Sequence, residues 1–208
     1  MSTSGAVEAT SIEERILDAA RRSILERGMQ KMRIEQIAAE VGLQRPNLYR
    51  YFPSKNALVL EVLIGETRQI LRERRRQVPI TGPVAPLLIE SLLLGFRLSQ
   101  DSSGVLNACL AEDSHQTAEL LTQPAFVTVA SEYWAPLLRH GRHRREISPD
   151  LEDDEIVRWF VGIQILLHEH PELFGGSHGI RDYLTKLAIP GVLTARGRSG
   201  QRAPGVDV

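Results

Sequence analysis

Apolar residues recur with helical period along almost the whole chain, and the breaks in that period divide it. Ile12, Ile16, Leu17, Ala20, Ile24 and Leu25 form one stripe. Ser11 and Glu14 stand ahead of it in capping-box spacing, and Gly28 behind it fits a left-handed stop. Residues 33–55, RIEQIAAEVGLQRPNLYRYFPSK, read as two short helices around a glycine turn. Ser54 then caps a long helix to about Gln77, which Pro79, Gly82, Pro83 and Pro86 bring to an end. Further helices are predicted near 84–100, 104–121, 123–141, 151–169 and 179–195, with Pro190 and Gly191 kinking or ending the last. The ends, 1–10 and 196–208, lack periodicity and read as disordered tails. With no convincing strand, hairpin signal or repeat, the expected fold class is all-α. An N-terminal module over 11–77 precedes a helical body over 78–195.

Composition narrows the class. Hydrophobic residues at 42% and charged residues at 25% suit a soluble globular protein with a core. No apolar run reaches the ~18 residues of a spanning helix. The opening MSTSGAVEATS has neither the basic start nor the apolar stretch of a signal peptide, so the cytoplasm is the expected location. The single cysteine, Cys109, excludes an intrachain disulfide and a thiolate-rich zinc site, and is read as a small buried hydrophobe. His140 and His143 share a helix face, but the surrounding HGRHRR is basic and repels a cation, so no metal or cofactor is expected. No serine-elbow, dinucleotide, P-loop or zincin motif is present, and no enzyme is expected. Charge is unevenly spread: 14 Lys/Arg stand against 10 Asp/Glu over residues 1–77, and 11 against 16 beyond. A mildly basic module on an acidic body suits a face presented to phosphates.

The stretch 33–52 supplies that face. Ala38, Gly42 and Leu48 are spaced as a helix-turn-helix needs: a small residue at the helix contact, positive φ in the turn, an apolar anchor in the second helix. The second helix begins near Gln44 or Arg45, with Pro46 in its first turn, where a missing N–H leaves no extra orphan. Arg45 can bond guanine in bidentate fashion, and Asn47 can read adenine or bond a phosphate. Leu48 and Phe52, four apart, are the expected buried side. The residues LYRYFPSKNALVLEVL (48–63), with IAAEVGL (37–43) and the helix over 11–27, resemble the DNA-binding domain of the TetR family of transcriptional regulators. The resemblance covers about the first third of the chain and implies an N-terminal three-helix helix-turn-helix domain followed by an α-helical ligand-binding and dimerisation domain. It implies base or backbone contacts for Tyr49 and Tyr51, and phosphate contacts for Arg50 and Lys55. Two positions depart from the family pattern. Arg33 stands where a Ser or Thr usually opens the preceding helix, and either reaches a phosphate or stays solvated; Gln44 replaces the usual serine and is a poorer cap.

The body carries less chemistry. Residues 86–96 and 155–167 are apolar nearly all round and should be buried. The family layout implies an intersubunit four-helix bundle from 151–169 and 179–195, hence a homodimer reading a palindromic DNA operator. Phe96, Tyr133, Trp134, Leu137 and Phe160 are candidate walls of an effector pocket, with Gln164 as an orienting polar group. The scarcity of charge in these helices suggests a largely hydrophobic small-molecule effector. The arginine run at 72–76 is expected to pair with the C-terminal dipole of its helix. The functional expectation is a ligand-responsive regulator, most simply a repressor. The alternative is a helical small-molecule-binding protein without DNA function.

Overall fold

The computed structural model describes residues 11–101, 104–175 and 177–199. The expected tail over 1–10, and 200–208 of the other, lie outside these residues. Four helices form the N-terminal part: α1 (Ile12–Arg27), α2 (Ile34–Glu40), α3 (Arg45–Tyr51) and α4 (Lys55–Gln77). Their ends follow from side chains that take over orphan backbone groups. Ser11 and Glu14 close a capping box on α1, with Glu14 N–H donating to Ser11 Oγ at 3.1 Å and Ser11 N–H to Glu14 Oε2 at 2.7 Å. Ser54 Oγ accepts from Ala57 N–H at 3.0 Å to start α4. No side chain caps α2 at Arg33 or α3 at Gln44. Gly28 stops α1 at φ 87°, ψ 159°, which is extended backbone of reversed sign rather than the left-handed helical stop expected of it. Gly42 takes φ 77° in the turn between α2 and α3.

The apolar stripes meet as their spacing requires. Ile16, Ala20 and Ile24 of α1 are buried with Ile37 and Ala38 of α2, Leu48 and Phe52 around α3, and Leu58 and Leu63 of α4. Burial of a side chain like Leu48 contributes about 2 kcal/mol, more than the 0–1 kcal/mol of any exposed ion pair on the module. The apolar anchors therefore hold α3 in place. Arg15 donates to Val41 O at 3.1 Å, and Arg22 pairs with Glu40 at 2.6 Å, tying the turn and α2 to α1.

The body comprises α5 (Val84–Asp101), α6 (Val105–Glu112), α7 (Ser114–Leu121), α8 (Pro124–His143), α9 (Asp153–Glu169), α10 (Ser177–Tyr183) and α11 (Ala195–Ser199). Helix α4 joins the two parts: it packs on α1 and also on α5, α6 and α8. Two remote glutamates replace local caps. Glu66 of α4 accepts from Val105 N–H at the start of α6, and buried Glu146 accepts from Val84 N–H at the start of α5, each at 2.7 Å.

The body departs from the expected helices at three places. The single helix expected over 104–121 is two, because Asp113 leaves helical φ/ψ and caps α7, its Oδ1 accepting from Gln116 N–H at 2.9 Å. The helix expected over 179–195 is α10 followed by a wide turn over Leu184–Ala188 and a tight one over Pro190–Val192. Pro190 has no N–H for the carbonyl four residues back, and Ile189 N–H donates instead to Leu184 O, five back, at 3.0 Å. Helix α11 carries ordered structure to Ser199, past the expected end of the body at 195. The only β pairing among the described residues is an isolated bridge between Ile147 and Leu193.

Candidate nucleic-acid interface and internal cavity

Helix α3 turns Leu48 and Phe52 inward and leaves Gln44, Arg45, Pro46, Asn47, Arg50 and Tyr51 exposed on one face, with Arg33 exposed at the start of α2. Pro46 occupies the first turn of α3. Tyr51 points to solvent, whereas Tyr49 is half-buried and packs along the module. Arg45 pairs with Glu35 of α2 at 2.9 Å, donates to the Tyr49 hydroxyl at 3.3 Å and lies 5.5 Å from the Tyr49 ring centre. These contacts are solvent-exposed and weak, so exchanging them for a base edge or phosphate costs little. Lys55 is half-buried, and its ammonium donates to Gln30 O at 2.8 Å. Two of its three donor directions remain for an anion.

A junction without any sign in the sequence lies behind this face. The backbone N–H of Gln30 donates to both carboxylate oxygens of Glu112 at 3.2 Å. The Gln30 amide donates to Asp113 Oδ2 at 3.2 Å and Gln116 Oε1 at 2.6 Å, and Gln116 in turn to Asn56 Oδ1 at 3.1 Å. The elbow between α6 and α7 is thus tied to the loop after α1 and to the first turn of α4. Gly28 makes room for it, since a Cβ there would stand 2.5 Å from Glu112 Oε1.

The body encloses a cavity of about 70 Å³ between α4, α5, α6, α8 and α9. Of the residues singled out from sequence, Trp134, Phe160 and Gln164 lie on its wall. Trp134 and Phe160 stack there with ring centres 4.5 Å apart, and Gln164 Nε2 donates to Leu92 O at 3.0 Å. The other three do not reach it. Phe96 sits edge-on to the His168 ring at 5.5 Å, Leu137 is closed within the core, and Tyr133 is held between Arg74 and Arg75, each guanidinium about 4.5 Å from its ring centre.

Four polar wall residues were not anticipated: Thr67, Arg74, Ser99 and His168. His168 Nδ1 donates to Gln164 O at 2.8 Å, which leaves Nε2 to accept from the Ser99 hydroxyl. Burial lowers the His168 pKa below the usual imidazole value, and the Gln164 carbonyl opposes this only in part, so the ring is neutral at pH 7. The arginine run does not simply decorate the end of α4. Arg74 is 4% exposed and faces the cavity, while Arg75 donates to Tyr133 O. The 3.6-residue phase that puts Leu71 inside also turns Arg74 there, three residues later.

Comparison with known proteins agrees with this geometry. The model of the bacterial regulatory proteins of the tetR family matches residues 16–62, which span α1 to the first turns of α4. The Escherichia coli K12 regulator RutR is 40% identical over 77 residues, covering 33% of this chain and 34% of that protein. An uncharacterized HTH-type transcriptional regulator of Mycobacterium tuberculosis H37Rv is 34% identical over 89 residues, covering 43% of this chain and 44% of that protein. The match therefore spans less than half the length of these curated relatives. Over most of the chain the fold is that of solved structures at low identity. RolR in complex with resorcinol superposes with a TM-score of 0.67 at 16% identity, covering 93% of this chain and 94% of that one. The transcriptional repressor QsdR of R. erythropolis, from the TetR family, gives 0.63 at 17%, covering 88% and 96%. The N-terminal helix-turn-helix module, over residues 16–62, is that of the bacterial regulatory proteins of the tetR family.

Proposed function

We propose that the protein is a sequence-specific, ligand-responsive transcriptional repressor that binds a palindromic operator as a homodimer. The observation that carries this reading is the outward face of α3: Gln44, Arg45, Asn47, Arg50 and Tyr51 lie exposed, with Pro46 in the first turn, while Leu48 and Phe52 are anchored beneath. Arg45 and Asn47 read base edges in the major groove. Arg33, Arg50 and Lys55 meet phosphates, Gln44 and Pro46 set the helix start against the backbone, and Tyr49 and Tyr51 flank the contact. Families with this module are generally non-enzymatic, which accords with the lack of a catalytic constellation in the sequence.

Dimerisation is supported by an exposed apolar groove between α9 and the turn over Leu184–Ala188. Trp159, 46% exposed, and Leu187, 71% exposed, line it with Ile156 and Val192. Exposed apolar surface of this kind marks an interaction site, and a second copy is the partner that places two copies of α3 about one helical turn of DNA apart. The effector occupies the cavity. Helices α4 and α6 each touch both the cavity wall and the module, α6 through Leu106 and Leu110 on one side and Glu112 on the other, so a ligand that prefers one arrangement of these elements shifts operator affinity by its differential affinity for the two.

A gel-shift assay with the DNA upstream of the coding region tests this. Arg45→Ala is expected to weaken binding to the operator by about 1–3 kcal/mol and to relax choice at one base pair. An equal loss on every sequence makes Arg45 a phosphate contact. No salt-sensitive binding to any duplex leaves the chain a helical ligand-binding protein without a DNA role.

A further inference from the structure

Arg74 is the one arginine among the described residues that is fully enclosed by protein, and nothing there neutralises it. The two buried carboxylates among these residues turn elsewhere: Glu66 accepts from Val105 N–H through Oε2, its Oε1 having no partner, and Glu146 is held by Val84 N–H and Arg144. Its Nε has no hydrogen-bond partner, and its polar neighbours are neutral hydroxyls: Nη2 reaches Ser91 Oγ at a long 3.4 Å, and the Tyr133 phenol is in hydrogen-bonding contact with the guanidinium. What supports the guanidinium is aromatic: it lies 4.5 Å from the Tyr133 ring centre and 5.1 Å from that of Trp134. Cation–π contact partly offsets the lost hydration but supplies no acceptor for the N–H groups. Burial pulls the Arg74 pKa below the usual arginine value, the Tyr133 phenol opposes this, and the Arg75 charge adds to it; no carboxylate acts on the group. A buried cation without a counterion is disfavoured unless an anion arrives.

The surroundings have the shape of a half-filled anion site. Arg74 lines the cavity together with Thr67, seven residues earlier on the same face of α4, whose hydroxyl is also buried and without a partner. Gly95 of α5 lets both Arg74 and Gln164 into this end. A Cβ there would lie 2.9 Å from Arg74 Nη1, 2.8 Å from its Cζ and 2.6 Å from Gln164 Oε1. The rest of the wall is apolar or neutral, Leu106, Leu110, Phe126 and Phe160 among it.

We propose that the cavity binds a small organic monoanion, an apolar body carrying one carboxylate, which Arg74 receives in bidentate fashion with help from Thr67. This rests on the reading of the cavity as the effector site, and it adds one negative charge to the largely hydrophobic effector expected from the sequence. The single cation matches one negative charge, and planar carboxylate matches the guanidinium fork. The volume of about 70 Å³ favours short or single-ring acids over long acyl chains.

The test compares charged and neutral isosteres by isothermal titration calorimetry on the full-length protein: benzoate against benzyl alcohol, and 3-methylbutanoate against 3-methylbutanol. The carboxylates are expected to bind and the alcohols to bind at least about tenfold more weakly. Arg74→Met, which keeps the apolar stem, is expected to lose about 10- to 100-fold in carboxylate affinity while leaving the alcohols unchanged. Gly95→Ala, which retains the charge but displaces the guanidinium, should show the same selective loss and covers the case in which Arg74→Met fails to fold. Alcohols binding as well as acids, or acids binding equally to wild type and both variants, overturns the proposal. So does the absence of binding by any acid. The regulatory reading fails separately: acids that bind through Arg74 without changing the gel-shift sustain the anion site and contradict the effector role, whereas alcohols that release DNA do the reverse.

Discussion

Arg45 and Arg74 each lie against a tyrosine ring, and they differ in almost everything else. Arg45 stands at the head of α3 with its side chain 57% exposed, already paired with Glu35. Arg74 is sealed into the body, 4% exposed, with two aromatic rings and no carboxylate. In the exposed module charge is cheap, so its arginines are free to trade one partner for another. In the body charge is expensive, so every buried polar group either has a dedicated partner or waits for one. On the proposed reading, the outer face exchanges partners with a large polyanion and the inner one receives a single small anion.

Substitutions can break this contrast. Removing a buried group that has its partners should cost most. Glu146→Ala deprives α5 of its cap and Arg144 of its acid, and is expected to lower stability by about 3 kcal/mol in urea unfolding. Gly28→Ala comes next, at about 2 kcal/mol, because it forces a side chain into reversed φ and against Glu112; restoring space with Glu112→Ala in the same chain should recover only the steric part. Arg74→Met, which removes a charge that has no partner, should leave the stability of the unliganded protein unchanged or raise it by about 1 kcal/mol. A loss above that size means the cation–π contacts outweigh desolvation. Arg45→Ala should change stability by less than about 0.5 kcal/mol, whatever it does to DNA binding.

A pH series sharpens the same contrast from the inside. The His168 pKa is lowered in the folded chain, so the unfolded chain takes up the proton first as pH falls. Its contribution is constant above the unfolded pKa of about 6.5 and turns destabilising as pH drops below it. His168→Gln should flatten the fall in Tm between about pH 6.5 and 5 relative to the unmutated chain.

What the sequence revealed follows the same line between outside and inside. The module was legible because α1 to α3 are amphipathic. Ile16, Ala20 and Ile24 had to face in, Leu48 and Phe52 had to anchor, and the remaining residues of α3 had nowhere to go but out. The body was legible only in outline, because helices apolar on all sides carry no phase: Phe96, Leu137 and Phe160 look alike as letters, and only Phe160 meets the cavity. Three signals were readable in principle. Asp113 followed by Gln116 is a cap in the middle of an apparent helix, Pro190 demands a missing hydrogen bond, and Arg74 shares a helical face with Leu71. The contact of Glu112 with Gln30 spans 82 residues, and no local pattern encodes it.

The most direct measurement is the salt dependence of operator affinity by fluorescence anisotropy, for the unmutated chain and for Arg50→Ala. The expected result is a steep linear fall of log K with log salt, and a slope reduced by about one in the variant with no change in sequence preference. Affinity that ignores salt, or a variant slope identical to that of the unmutated chain, would contradict the assignment of the α3 face to DNA.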